Sequence, residues 1–354
     1  MLRTDSIQST PRPITASAGS RRRRPGFTVT ELLVVIAIIA LLVALLLVAL
    51  GAARTRAQAT DTNSTITAFA NAVSAFQQEH GRLPGAVPEA TLLNDAGGNA
   101  TRLTGMENAL LELMGGYAFD SDTVEFNSFD LSSPSVREYT FSEPDGGTLR
   151  MRVDVNRIGE GPKIKGKRFG PYFTPDENDF LPVTGQTNEA DPDAPMLDLL
   201  DAWGQPIAFL RARRTQGPLV GLASAGTISQ FDPSPLMGYM GSTSLGRLGK
   251  SQVFNAGGNT EGSILTDAAG GNMIALDNLA YLIGHPSIAG QARGSFVVIS
   301  AGPDGIFFSA SDGPGPTDST NGYIVELDTL TTGAGVLPPQ VIEEYDDLVT
   351  FGGA

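Results

Sequence analysis

The stretch Arg21-Arg22-Arg23-Arg24-Pro25-Gly26-Phe27-Thr28-Val29-Thr30-Glu31 opens onto an unbroken apolar run, Leu32 to Leu50, made only of Leu, Ile, Val and Ala. At about 1.5 Å per residue the run spans about 28 Å as a helix, enough to cross the hydrocarbon core of a bilayer. One carboxylate, Glu31, stands at its very start, where an unpaired charge is poorly solvated and costly. An ordinary secretory signal has a shorter apolar region followed by a small-residue cleavage site. Here Gly51-Ala52-Ala53-Arg54 offers only a weak one. A plain single-pass anchor accounts for the length, but not for Glu31 or the Gly26-Phe27 junction.

A basic leader, a Gly-Phe junction, a Glu five residues into the remaining chain and then an apolar helix fall in one register. This arrangement resembles the type IV prepilin signal. The resemblance implies a peptidase cut between Gly26 and Phe27, methylation of the new N-terminus at Phe27, and a role for Glu31 in assembly. The boundaries it implies are a leader over 1–26, a transmembrane part of the helix over 27–51, an amphipathic continuation over 52–80, and an extracytoplasmic globular domain over 81–354.

Composition bounds the rest. A chain of 354 residues with no Cys has neither a disulfide framework nor a thiolate metal site. Residues 1–26 hold six Arg and one Asp, so the chain from Phe27 onward carries 18 basic and 37 acidic side chains, a net charge of −19. The positive-inside rule puts the Arg-rich end in the cytoplasm and the acidic bulk outside the inner membrane, as a single-pass protein. So acidic a domain argues against nucleic-acid binding, which needs a basic footprint, and favours divalent cations.

Beyond Gly51 the sequence turns polar, yet Ile66, Phe69, Val73 and Phe76 keep spacings of three and four, an apolar stripe on one helical face. Gly81, Pro84 and Gly85 then end the helix. The stripe reads as the face that docks on the chain's own globular domain. Met106 to Met114 reads as a helix closed by Gly115-Gly116. Val136–Phe141 and Thr148–Val155 flank Pro144-Asp145-Gly146-Gly147, a hairpin signal. Ile207–Leu210 and Phe296–Ile299 read as strands, and Leu276–Ile283 as a helix. The fold class is α+β, pilin-like: a long N-terminal helix packed on an antiparallel sheet.

Gly170-Pro171-Tyr172, Leu181-Pro182, Asp201-Ala202-Trp203-Gly204-Gln205-Pro206, Ser300-Ala301-Gly302-Pro303-Asp304-Gly305 and Asp346-Asp347-Leu348 occur in this order, behind His80-Gly81-Arg82-Leu83-Pro84. That order resembles the major pseudopilin (protein G) of type II secretion systems. Such pseudopilins are well under half this length, so residues near 85–165, 214–293 and 306–343 read as insertions. In that family calcium is held by the loop after Ser-x-Gly-x-Asp-Gly together with the Asp-Asp pair. The resemblance therefore implies a Ca2+ site with Asp304, Asp346 and Asp347 as ligands, and Asp312 as a further addition. Residues 301–354 independently hold nine carboxylates and no Lys, Arg or His. Crowded carboxylates repel one another, and a hard cation relieves the repulsion. A solvated acidic edge is the alternative.

Other polar features point away from catalysis. His80 and His285 lie far apart beside turn residues, Trp203 reads as a core side chain, and Lys163-Ile164-Lys165-Gly166-Lys167-Arg168 reads as a solvated basic loop. No acid/base or nucleophile constellation appears, so the expectation is a non-enzyme. The expected role is a structural filament subunit, of a type IV pilus or a type II secretion pseudopilus. Its partners would be prepilin peptidase, other copies of itself and related pilin-like subunits. The alternative is a membrane-anchored extracytoplasmic binding protein that never polymerises.

Overall fold

The computed structural model describes residues 28–95, 103–176, 180–181, 198–222, 226, 228–234, 263–265, 273–309 and 345–353. The chain divides into two compact units, Met1–Ala53 and Arg54–Ala354, with helix α1 (Val29–His80, 52 residues) contributing to each. In the first unit α1 is apolar on every side. Its large side chains, Leu32, Leu33, Ile36, Leu45 and Leu46 among them, are exposed. A helix hydrophobic all round must be covered by lipid or by partner helices. It is long and apolar enough to cross a membrane.

In the second unit the predicted stripe is the buried face of α1: Ile66, Phe69, Val73 and Phe76 are all fully buried. They pack with α3 (Gly105–Met114) and with one face of a three-stranded antiparallel sheet. The strands are β8 (Ala208–Arg211), β9 (Phe296–Ser300) and β10 (Leu348–Gly352), in the order β10-β9-β8. Phe69 sets its edge against Phe173 and Phe209, with ring centroids 5.5 and 5.3 Å apart. Side chains alternate along a strand. Phe209, Phe296 and Val298 therefore meet α1 and α3, while Ala208, Leu210, Val297 and Ile299 meet α5 (Met273–Ile283) through Leu279, Leu282 and Ile283. The central strand β9 is buried on both faces, which is why its sequence runs apolar rather than alternating.

The order of elements before β8 is α1, α2 (Glu89–Asp95), α3, β1 (Tyr117–Phe119), α4 (Thr123–Ser128), β2 (Val136–Ser142), β3 (Thr148–Asp154), β4 (Lys163–Ile164), β5 (Lys167–Arg168), β6 (Phe180–Leu181) and β7 (Asp198–Leu199). The predicted hairpin is β2–β3, which joins β1 in a second antiparallel sheet ordered β1-β3-β2. This sheet has its own core of Val87, Leu92, Leu111, Phe141, Met151 and Val153. Helix α3 begins in a capping box, Thr104 with Glu107, and ends at Gly115, whose φ of 83° places it in the left-handed region. A Cβ at Gly115 would overlap the Gly161 carbonyl, so both backbone shape and space require glycine.

The basic segment 163–168 is exposed from Lys165 to Arg168, as expected of a solvated loop. It is the hairpin β4–β5, whose base is fixed by ion pairs. Lys163 meets Asp122 at 2.6 Å, and Arg168 meets Glu125 at 2.8 Å and Glu160 at 3.0 Å. Trp203 is not the core residue expected: it is half-buried, and its backbone is what the fold uses.

Candidate functional site

At the head of α1, Thr28 and Glu31 close a capping box. The Glu31 backbone N–H donates to Thr28 Oγ1 at 3.2 Å. The Glu31 carboxylate accepts from the Thr28 backbone N–H and from its hydroxyl, both at 2.8 Å. The first turn of a helix leaves four N–H groups without intrahelical partners, and in an apolar surrounding each is expensive. The spacing Thr28-x-x-Glu31 was a readable capping signal that the assembly reading of Glu31 passed over. Gly26 and Phe27 lie outside the described residues.

Three of the motifs noted in the sequence, 201–206, 300–305 and 346–347, come together in the second unit at one end of the sheet. Asp201 is their hub. Its Oδ1 accepts from the N–H groups of Trp203 (2.9 Å) and Gln205 (2.8 Å), and its Oδ2 accepts from the Ser300 hydroxyl at 2.7 Å. The turn 201–206 is seated on α1, with Gln58 Nε2 donating to the Ala202 carbonyl (2.9 Å) and the Ala202 N–H to Thr62 Oγ1 (3.0 Å). Burial holds the Asp201 carboxyl above the ordinary carboxylate range, against the lowering effect of Ser300 and the backbone donors. Pairing of Leu348 with Ser300 in the β9–β10 ladder then brings Asp346-Asp347 beside Ser300–Gly305.

Both Asp347 oxygens accept from the Phe308 N–H, at 3.0 and 2.9 Å, and Asp304 Oδ1 accepts from the Ile306 N–H at 2.8 Å. Gly302 lies so close to the Asp346 carbonyl that a Cβ there would fall 2.6 Å from its oxygen. Among the described residues, no three His, Asp or Glu side chains stand together as a metal set. Asp312 lies outside those residues.

His80, the last residue of α1, hydrogen-bonds Tyr172 through Nε2 at 2.9 Å, and the Tyr172 hydroxyl donates to Glu79 at 2.6 Å. Burial and the bond to Glu79 push the Tyr172 hydroxyl up to about 12. The motif pair His80…Tyr172 thus closes the end of the helix. Sequence reasoning missed the next link, in which Arg82 clasps the buried Glu112 with both Nη groups while Glu112 also accepts from the Gly85 N–H at 2.6 Å. His285 Nδ1 accepts from the Ser287 N–H at 3.1 Å, in keeping with a turn residue.

Residues 21–53 match the prokaryotic N-terminal methylation motif. The match takes in the Gly26-Phe27 junction, Glu31 and the membrane-length part of α1. It supports a type IV pilin-like protein, recognised by prepilin peptidase and assembled with other pilin subunits. The α+β arrangement, a long N-terminal helix with antiparallel sheets, is consistent with a pilin-like fold. No curated protein and no solved structure matches the chain.

Proposed function

We propose that this chain is a structural, non-catalytic subunit of a type II secretion pseudopilus or a related type IV pilus-like filament. Its leader is cut between Gly26 and Phe27, with the N-terminus cytoplasmic and the acidic domain periplasmic. The observation that carries the reading is the methylation motif over residues 21–53, which from Val29 onward lies on the helix that runs to His80. Further support comes from the convergence of the 201–206, 300–305 and 346–347 segments on one end of the sheet.

Glu31 is the residue to test. In a filament its carboxylate pairs with the free amine of Phe27 on a neighbouring subunit, which offsets the cost of holding either charge near hydrocarbon. Glu31→Val should be inserted and cleaved normally yet enter filaments at a small fraction of the wild-type amount. Thr28→Val separates the two roles of Glu31, because it removes the capping hydroxyl and keeps the carboxylate. It costs about 1 kcal/mol of helix capping and should still assemble. Normal filaments from Glu31→Val, or equal failure of Thr28→Val, would remove the pairing role.

The same reading carries one calcium ion at Asp304, Asp346 and Asp347, with carbonyls or water completing the 6–8 oxygens that calcium takes. Free calcium at 100 times the dissociation constant stabilises the folded state by about 2.7 kcal/mol. Chelator should therefore lower the melting temperature, and Asp347→Ala should abolish most of that difference. Identical melting of wild type in calcium and in chelator would contradict the site.

A further inference from the structure

The segment that follows α1 and the end of β8 enclose a groove of about 570 Å³, lined in part by Arg82, Gly85, Pro88, Glu89, Arg211 and Arg213. Three guanidinium groups in one groove are unexpected in a chain whose net charge beyond the leader is −19. Arg211 is committed to the wall. Its Nε donates to Glu89 at 2.7 Å and its Nη1 to the Pro84 carbonyl at 2.6 Å. Gly85 makes this possible, since a Cβ there would overlap the Arg211 guanidinium.

Arg82 and Arg213 are placed differently. Each has a carboxylate neighbour that is more deeply buried than itself: Glu112 is 3 % exposed against 47 % for Arg82, and Asp232 is 0 % exposed against 20 % for Arg213. The negative ends of these pairs therefore lie in the interior, and the positive ends reach the groove. A guanidinium has five N–H donors. Among the described residues, Arg213 reaches Asp232 through Nη1 alone, at 3.4 Å, and Arg82 directs its Nη groups at Glu112 and the Leu83 carbonyl. Glu89, the carboxylate in the lining, is already bonded to Arg211.

We propose that this groove binds a carboxylate, held by the guanidinium fork of Arg213 and by the donors of Arg82 that Glu112 and the Leu83 carbonyl leave over. The planar fork matches a carboxylate in two parallel bonds, which a lysine ammonium cannot reproduce. The volume lies within the range of small-ligand sites, about 300–1,000 Å³, and suits either a dicarboxylate or a few side chains of an acidic segment. The chemistry has two sources: a free dicarboxylate, or the Asp and Glu side chains of a second copy of this chain. The inference goes beyond the filament reading and does not depend on it.

The test uses the full chain in detergent, titrated calorimetrically with succinate. Wild type should bind saturably, Arg213→Lys should weaken binding at least tenfold with a melting temperature close to wild type, and Arg82→Lys, which also loses the two-bond clasp on buried Glu112, should weaken binding and lower the melting temperature. Lysine is chosen because it leaves a cation beside Glu112 and Asp232. Sedimentation of the same samples identifies the source. Self-association that succinate reverses and Arg213→Lys weakens marks a second copy as the natural ligand, whereas self-association indifferent to succinate marks a free dicarboxylate. Absence of saturable succinate binding, or equal binding by wild type and both variants, would overturn the proposal.

Discussion

Asp201 shows how a single side chain can join segments far apart in the sequence. One carboxylate accepts two backbone N–H groups of its own turn and the hydroxyl of Ser300. Asp201→Ala leaves those donors without their acceptor in a largely buried site and should cost about 2–4 kcal/mol. Asp201→Asn keeps an oxygen for both N–H groups and presents an amide to Ser300, whose oxygen can accept. It should stay within about 1 kcal/mol of wild type at neutral pH. The pH dependence separates charge from shape. Burial raises the folded-state pKa above the unfolded one, so the proton is bound more tightly in the folded protein. The stabilisation from this group is full below the unfolded pKa, near 4, and declines as pH rises through the folded value. The stability of Asp201→Asn relative to wild type should therefore be greatest at pH 7 and shrink towards pH 3. A difference that grows on acidification would show that Asp201 is held in its charged form.

At the scale of elements, α1 was the most legible part of the chain. Apolar residues at spacings of three and four can satisfy only a helix, and Ile66, Phe69, Val73 and Phe76 are the residues that the second unit buries. Phe69 sits among Phe173 and Phe209, so Phe69→Ala should cost about 3–5 kcal/mol, read as a shift in denaturant midpoint with unchanged slope. A cost below 1 kcal/mol would mean that the stripe faces something other than its own domain. Strands β8 and β9 were also legible, because a sheet covered on both faces leaves continuous apolar runs. The ion pairs at the base of hairpin β4–β5 were not legible, for an equally physical reason. Lys163 and Arg168 meet Asp122, Glu125 and Glu160 only once the fold brings them together, and a single sequence carries no sign of such pairings. The Arg82–Glu112 clasp escaped notice on the same ground. Trp203 was assigned to the core by residue type, whereas its position belongs to a turn that Asp201 organises through backbone groups.

On the scale of the whole molecule, an apolar helix that lipid or partners must cover, and an acidic domain with its own core, are joined by one continuous α1. On the function proposed above, the same helix first resides in a bilayer and then bundles with copies of itself. The central claim is that the chain is processed as a prepilin, and the N-terminal sequence of the mature protein tests it most directly. The account predicts a chain beginning at Phe27, carrying a methylated amine, with full-length precursor accumulating when Gly26 is replaced by a bulky residue. A mature N-terminus at any other position, or retention of the Arg-rich leader in the assembled protein, would contradict it.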